Sequence, residues 1–385
     1  MRVLNSAGLI ALLASQAWAD LEYSTWMLQS IISRQQGVVS SGAASSTLES
    51  GILALSLQAW LDHYQHHDSA TDISDYLDLV LTSVDPTFKN ASQTASLPLD
   101  RLSVGQALTH LGRSLTAEET FALSTLNSSL AIQKRNEYGG LWYYVYPEWS
   151  YLDGAVSFLP FMALDPSWSR VDMKHQIDLL YSHCYDNSTG LVLHGYDASK
   201  TAVWANPTTG ASPYVWGRSL GWYLAGLVNT WEALEKPGKC SGATSASLLA
   251  TIKTQLQELT AALVTYADPA TGAWWQLPTF PGREGNYLES SSTALFTFSL
   301  LKGLRLGVID DLGFTDVALK AYKYTKESFV VDAGNGTLGY NGTVSVCSLN
   351  STATYEYYTT RPLVPNSLLG EAAFVLASLE VERLK

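Results

Sequence analysis

Several signatures of common enzyme classes are absent from this 385-residue sequence. It contains no H-E-x-x-H pair, no P-loop and no G-x-G-x-x-G after a predicted strand. The run His66–Asp68 is the nearest approach to a metal site, but adjacent residues do not share one helical face. We therefore interpret this run as a solvated helix end.

Basic residues are scarce. Lysine and arginine total 23 against 35 aspartates and glutamates, which gives a net charge of −12. No basic cluster is present, and this argues against nucleic acid as a partner. An anionic small substrate is still compatible with this charge, because one local Arg or His can invert the potential inside a cleft.

Cysteine is also rare, with Cys184, Cys240 and Cys347 only. In an oxidising compartment, three cysteines allow at most one intramolecular disulfide and leave one thiol over. The spacing does not favour any one pair, and it does not resemble a metal site.

The N-terminus carries the pattern of a secretory signal. Arg2 precedes the apolar run from Ala7 to Ala14, and the small residues Ala17 and Ala19 form an A-x-A cleavage site. We predict a signal peptide at residues 1–19 and one secreted, extracellular domain at residues 20–385, with no later membrane span. Six N-x-[ST] sequons predict a glycosylated surface: Asn90, Asn127, Asn187, Asn335, Asn341 and Asn350.

Helical periodicity recurs along the whole chain and predicts about a dozen helices. They are Leu21–Arg34, Thr47–His66, Ser74–Val84, Leu102–Arg113, Ala117–Lys134, Glu148–Ala163, Ser169–Tyr185, Trp216–Leu234, Ala246–Tyr266, Leu288–Leu306, Thr315–Phe329 and Pro365–Leu384. We expect an all-α, single-domain (α/α)6 barrel in which inner and outer helices alternate. The short apolar patches "GLVLHGYD" and "GAWWQLP" suit loops and hairpins over its mouth.

Two carboxylates precede apolar helices. Asp153, in "YPEWSYLDGAVSFLPFMALD", has aromatic and aliphatic neighbours and little nearby charge, so loss of hydration favours its protonated form and makes it a candidate acid. Asp100, in "SLPLDRLSVGQAL", occupies a similar position. The alternative for both residues is helix N-capping, a common role of aspartate.

A cation and two indoles stand close together in "YVWGRSLGWYLAG". The Arg218 fork suits a carboxylate, and Trp216 and Trp222 could wall a sugar site. Alternatively, Arg218 pairs with a structural acid and the tryptophans belong to the core. His194, in "LHGYD", is either a structural hydrogen-bonding group or part of a site. Glu289, beside Trp274, Trp275 and Gln276, has a core or capping explanation.

Taken in order, these motifs resemble glycoside hydrolase family 105, the unsaturated glucuronyl or rhamnogalacturonyl hydrolases, in a secreted, fungal-type form. The resemblance rests on "LPLDRLSVGQAL", "LDGAVSFLPFMA", "LHGYD", "VWGRSLGW", "NYLESSSTALFTFSLLKGLRLGVI" and "PNSLLGEAAFVLASLEVERL". It covers nearly the whole mature chain. The family usually has Gly-Asn where this chain has Ser219 and Leu220, and bacterial relatives often have His or Lys among the tyrosines before Asp153.

The resemblance implies an (α/α)6 barrel without metal or cofactor. Asp153 matches the catalytic acid/base and Asp100 the second carboxylate, whereas His194, Trp216, Arg218 and Trp222 match the uronate subsite. The expected protein is a monomeric hydrolase, with no nucleic-acid or membrane partner, that removes 4,5-unsaturated uronic acid from lyase-generated oligosaccharides. Unsaturated galacturonyl-rhamnose from pectin is the expected substrate. A two-carboxylate glycosidase and a noncatalytic sugar-binding protein are the alternatives.

Overall fold

We describe a computed structural model of the protein, which covers residues 22–39, 46–235 and 242–385. The predicted signal peptide at residues 1–19 and Cys240 lie outside these ranges. None of the helices within them is long and apolar enough to cross a membrane.

Fourteen α-helices are assigned in these ranges. They are α1 (Tyr23–Ser33), α2 (Ser46–His63), α3 (Ala70–Val84), α4 (Ala91–Thr94), α5 (Leu102–Thr109), α6 (Ala117–Ala131), α7 (Ala155–Leu164), α8 (Arg170–Cys184), α9 (Gly217–Glu235), α10 (Ala243–Thr265), α11 (Ser290–Arg305), α12 (Phe314–Ser328), α13 (Tyr355–Thr359) and α14 (Leu368–Glu382). Three 3₁₀ turns, at Asp85–Thr87, Leu99–Arg101 and Leu152–Gly154, stand between them.

The long helices form two concentric rings. Helices α2, α5, α7, α9, α11 and α14 pack each against the next, and α14 packs against α2 to close the inner ring. Helices α1, α3, α6, α8, α10 and α12 pack outside this ring. Because inner and outer helices alternate along the chain, all six inner helices run in the same direction. The predicted all-α (α/α)6 barrel is confirmed.

The sequence pattern explains which helices lie inside. All ten residues of α7, "AVSFLPFMAL", are buried, as expected of a helix that is apolar all round. Outer helix α3 instead buries one stripe, with Ile73, Tyr76, Leu77, Val80, Leu81 and Val84 at helical spacing. Two inner helices meet closely at Gly226, where an added Cβ would lie 2.6 Å from the Ala155 carbonyl.

Six short strands make three antiparallel hairpins or pairs: β1 (Trp149–Tyr151) with β4 (Gly195–Asp197), β2 (Tyr185–Asp186) with β3 (Leu191–Val192), and β5 (Val330–Asp332) with β6 (Leu338–Tyr340). "GLVLHGYD" therefore contributes two strands. "GAWWQLP" contributes only an isolated bridge between Trp275 and Leu288.

Two predicted helix starts, at Glu148 and Pro365, come three or more residues before the helix itself. Residues 149–151 form β1 rather than the first turn of a helix, because pairing with β4 overrides local periodicity. The last helix begins at Leu368 rather than Pro365, because Asn366 has a left-handed backbone (φ 54°) and pairs with Tyr340.

The described residues include all six sequons and two of the three cysteines. Five sequon asparagines are exposed, but Asn127 is half-buried in α6, where its amide donates to the Leu123 carbonyl. A glycosylated amide nitrogen keeps one hydrogen that can still donate, so glycosylation stays a prediction for all six sequons. Cys184 and Cys347 are buried and not disulfide-bonded.

Candidate active site

A cavity of about 270 Å³ opens at the end of the barrel where the inner helices begin. It is lined by all six residues singled out in the sequence: Asp100, Asp153, His194, Trp216, Arg218 and Trp222. Leu48 and Leu369 come from the first turns of α2 and α14. Tyr151 of β1 and several loop residues complete the lining, chiefly Tyr143, Tyr144, Tyr146, Val346, Cys347 and Ser348.

The position of this cavity favours an anionic ligand. The N-terminus of a helix carries partial positive charge and unpaired N–H groups, and five inner helices begin at this wall. Arg218 is the one Lys or Arg side chain among the residues that line it. Helix ends and one guanidinium therefore supply local positive potential in a protein of net charge −12.

A second cavity of about 220 Å³ opens at the opposite end of the barrel and also touches Trp222. Most of its charged residues neutralise one another: Glu380 accepts from Arg305 and Arg383, and Lys302 lies 2.8 Å from Glu232. Asp62 also lines this cavity, but it is exposed to solvent. Of the two cavities, the first is therefore the one whose buried carboxylates lack an ion pair with Lys or Arg.

Asp153 lies in the 3₁₀ turn that leads into α7, and its side chain is 11% exposed. Its Oδ2 accepts a hydrogen bond of 2.5 Å from the Ser219 hydroxyl, at the start of α9. No side-chain capping bond is made at the start of this turn or of α7. The capping alternative is therefore wrong, and the carboxylate faces the cavity.

His194 lies between β3 and β4 and is 1% exposed. One ring nitrogen, Nδ1, lies 2.8 Å from the Tyr358 hydroxyl. The other, Nε2, lies 3.1 Å from Asp153 Oδ2, close enough for electrostatic attraction. The ring does not point at the carboxylate at a hydrogen-bonding angle, so Nε2 has no hydrogen-bond partner among the described residues.

Asp100 is also not a cap. Its Oδ2 accepts a 2.7 Å hydrogen bond from the Tyr143 hydroxyl, whereas its buried Oδ1 has no partner in the described part of the chain. Burial raises the pKa of Asp100 to about 7, and the charge of Asp153 adds to this, although the Tyr143 hydrogen bond and Arg101 oppose it. The protonated form of Asp100 is therefore well populated near neutrality.

Arg218 is held by the backbone of the loop that closes the cavity. Its Nη1 and Nη2 donate to the carbonyl oxygens of Val344 and Ser345, at 2.5 and 2.7 Å, and its guanidinium lies over the Trp216 ring. The Arg218 guanidinium already donates hydrogen bonds, and its partners are backbone carbonyls rather than an acidic side chain. Each terminal nitrogen keeps a second hydrogen, and contact between Arg218 and a substrate stays a prediction.

The two indoles wall the cavity and are almost fully buried, at 2% for Trp216 and 1% for Trp222. Trp216 donates to the Gln276 side chain at 3.1 Å. Glu289 caps α11 through Ser292, as its position suggested, and also accepts from the backbone N–H of Val344 at 3.0 Å. Glu289 and Arg218 thus hold Val344 from opposite sides.

Three neighbours of the acids were not singled out from the sequence: Ser219, Tyr143 and Tyr358. Ser219 and Tyr143 lie at positions where the sequence differs from the family pattern. Those differences were the sequence feature that could have identified them. Tyr358 had no such feature, because it lies 164 residues from the histidine it contacts.

The fold and this site are those of a carbohydrate-active hydrolase. Glycosyl Hydrolase Family 88 matches residues 33–385, and the chain belongs to that family of glycoside hydrolases. Protein Atu3128 of Agrobacterium fabrum is 29% identical over 200 residues, which are 50% of this chain and 82% of that protein.

Solved structures agree. A family 105 glycoside hydrolase of C. acetobutylicum is 29% identical with a TM-score of 0.79, covering 94% of this chain and all of that one. The unsaturated glucuronyl hydrolase of Bacillus sp. GL1 shares the fold at 14% identity, with a TM-score of 0.61 and coverage of 94% and 95%. The resemblance to family 105 is confirmed.

The raised pKa of Asp100 predicts a pH-dependent cost in stability. Between its ordinary value of 3.8 and its folded value of about 7, the folded protein holds a proton that the unfolded chain has lost. Its contribution to the free energy of unfolding is therefore full below about pH 4 and falls as pH rises to 7. Asp100→Asn should remove this fall, which is at most about 1.4 kcal/mol per pKa unit.

Denaturant unfolding of both proteins from pH 4 to pH 8 measures this contribution. Asp85 and Glu371, whose pKa values burial raises to about 6 and about 7, are present in both proteins and cancel in the difference. A difference between the two stability curves that does not change with pH would contradict the assignment.

Proposed function

We propose that this glycoside hydrolase removes 4,5-unsaturated uronic acid from the non-reducing end of oligosaccharides left by polysaccharide lyases. The observation that carries the proposal is the Asp153 carboxylate, hydrogen-bonded to Ser219 and facing a cavity where helix N-termini meet. Such a cavity suits an anionic sugar. The Bacillus sp. GL1 relative is itself an unsaturated glucuronyl hydrolase, which supports the same substrate class.

The chemistry needs only one proton donor. An unsaturated uronate is an enol ether, so protonated Asp153 can add its proton to C4 while the C4–C5 double bond opens to a cation shared by C5 and the ring oxygen. Water then adds at C5 and returns a proton to the carboxylate. The resulting hemiketal opens to a C5 ketone, and the C1 hemiacetal collapses to an aldehyde as the neighbouring sugar leaves. One water is consumed.

Asp100 fits this reaction as a group that contacts the sugar. A two-carboxylate glycosidase needs a partner that is ionised, as nucleophile or base, while the acid is protonated. Burial, with Asp100 3% exposed, and the neighbouring Asp153 both disfavour the charged form of Asp100. Its Oδ1 is buried and lacks a partner in the described part of the chain, and we expect a sugar hydroxyl to supply one.

We propose that the leaving sugar is rhamnose, released from unsaturated galacturonyl-rhamnose of pectin. Tyr144, Tyr146 and Val346 line the cavity, and Val346 is 46% exposed. These side chains offer apolar surface where a 6-deoxy sugar presents a methyl group.

We further propose a secreted, extracellular monomer with a signal peptide at residues 1–19, a catalytic domain at 20–385 and glycans on the exposed sequons.

Matched disaccharides test the function. The purified protein should abolish the ultraviolet absorbance of the enol ether in an unsaturated galacturonyl-rhamnose, and it should leave the saturated disaccharide intact. Chromatography of released rhamnose supplies the second readout. Equal rates on the two sugars would favour the two-carboxylate glycosidase, and binding without turnover would favour a sugar-binding protein.

Asp153→Asn should reduce kcat by about a hundredfold to ten-thousandfold, since an amide cannot deliver the proton. The amide oxygen can still accept from Ser219, so the fold and sugar binding should persist. Steady-state kinetics, thermal unfolding and calorimetric titration measure these three properties. Asp165→Asn, at the other end of α7, is the control and should behave as wild type. Near-normal turnover by Asp153→Asn would remove Asp153 as the acid.

A further inference from the structure

The two oxygens of the Asp153 carboxylate have different surroundings. Oδ2 accepts the 2.5 Å hydrogen bond from Ser219 and is also the oxygen that lies 3.1 Å from His194 Nε2. Oδ1 has no such partner among the described residues, although Asp153 lines the cavity. Ser219 and His194 therefore both lie against Oδ2, and Oδ1 is the oxygen that can contact the sugar.

Ser219 is built into the scaffold that holds this oxygen. It is the third residue of α9 and is fully buried. Its hydroxyl also lies 3.3 Å from the His194 carbonyl oxygen. A hydroxyl has one hydrogen to donate, and the shorter contact goes to the carboxylate.

We propose that Ser219 is a positioning residue, which holds Asp153 Oδ2 so that the proton passes to the substrate from Oδ1. This inference rests on the proposed role of Asp153 as the acid. When Asp153 carries its proton on Oδ1, Oδ2 is a carbonyl oxygen and still accepts from Ser219. When the proton has moved to the sugar, the same bond becomes charge-assisted and stronger. Ser219 thus stabilises the product of the proton transfer more than its starting state.

The titratable groups that face Asp153 come from several elements. Asp100 lies across the cavity, His194 lies beside Oδ2, and the phenols of Tyr143, Tyr151 and Tyr358 contribute electrostatically. All of these groups are unchanged by substitution at Ser219. A change in the pH profile of a Ser219 variant therefore reports the lost hydroxyl.

Ser219→Ala tests the proposal, with Ser157→Ala as the matched control. Ser157 is also a fully buried serine at the start of an inner helix, four residues after Asp153, but its hydroxyl has no hydrogen-bond partner among the described residues. Ser219→Ala should lower kcat about tenfold to a hundredfold with little change in KM. The alkaline limb of its kcat–pH profile, where the acid loses its proton, should move to higher pH, because a carboxylate without that donor holds its proton more tightly.

Ser219→Cys adds a graded comparison, since a thiol is a weaker donor of similar size, and its kcat should lie between those of wild type and Ser219→Ala. Thermal unfolding of each variant separates loss of fold from loss of rate. Equal kcat values and equal pH profiles for Ser219→Ala and Ser157→Ala would overturn the proposal. A loss of kcat/KM that comes only from a higher KM would also overturn it.

The comparison is made on whichever sugar, unsaturated or saturated, the wild type hydrolyses. Absence of wild-type turnover on the unsaturated sugar contradicts the proposed function but leaves the assignment of Ser219 to be decided on the saturated one. Absence of turnover on both sugars overturns both proposals.

Discussion

The common direction of the six inner helices is the constraint on which the site depends. Most residues of those helices are buried, and the outer helices return the chain so that every inner helix begins at one end. The first turns of five of them bring unpaired N–H groups and partial positive charge to a single cavity. The packing that buries the core thereby places Asp100, Asp153 and Arg218 around one point.

A pair of buried charges fixes the loop that closes this cavity. Val344 donates its N–H to Glu289 and its carbonyl oxygen accepts from Arg218, so the two opposite charges hold the same residue. The same loop region supplies Tyr358, whose hydroxyl contacts His194. A buried charge left without its partner is costly. Loss of either Arg218 or Glu289 therefore disturbs the loop as well as the potential of the cavity.

Much of the fold could be predicted from the sequence. The twelve long helices carry strong local periodicity, and the structure has a helix in each predicted place. The helices predicted to start at Glu148 and Pro365 begin later because their local pattern was overridden by pairing with β4 and by the left-handed Asn366, which depend on distant residues.

The site was predictable in its members but not in its contacts. Motif order led to Asp100, Asp153, His194 and Arg218, which line one cavity. The partners of these residues come from elsewhere in the chain. Ser219 is 66 residues from Asp153, and Val344 is 126 from Arg218, distances over which no local periodicity carries information. The hydrogen bonds from the Arg218 guanidinium to the loop carbonyls could be found only from the folded structure.

The central claim is that the first bond made in the reaction joins a proton to C4 of the unsaturated sugar. Turnover in deuterium oxide tests it directly, with the released uronate examined by NMR at early times. The account predicts one deuterium at C4 and loss of the C4–C5 double bond. Release of a uronate that keeps its double bond and its original C4 hydrogen would show attack at C1 instead, and it would contradict the account.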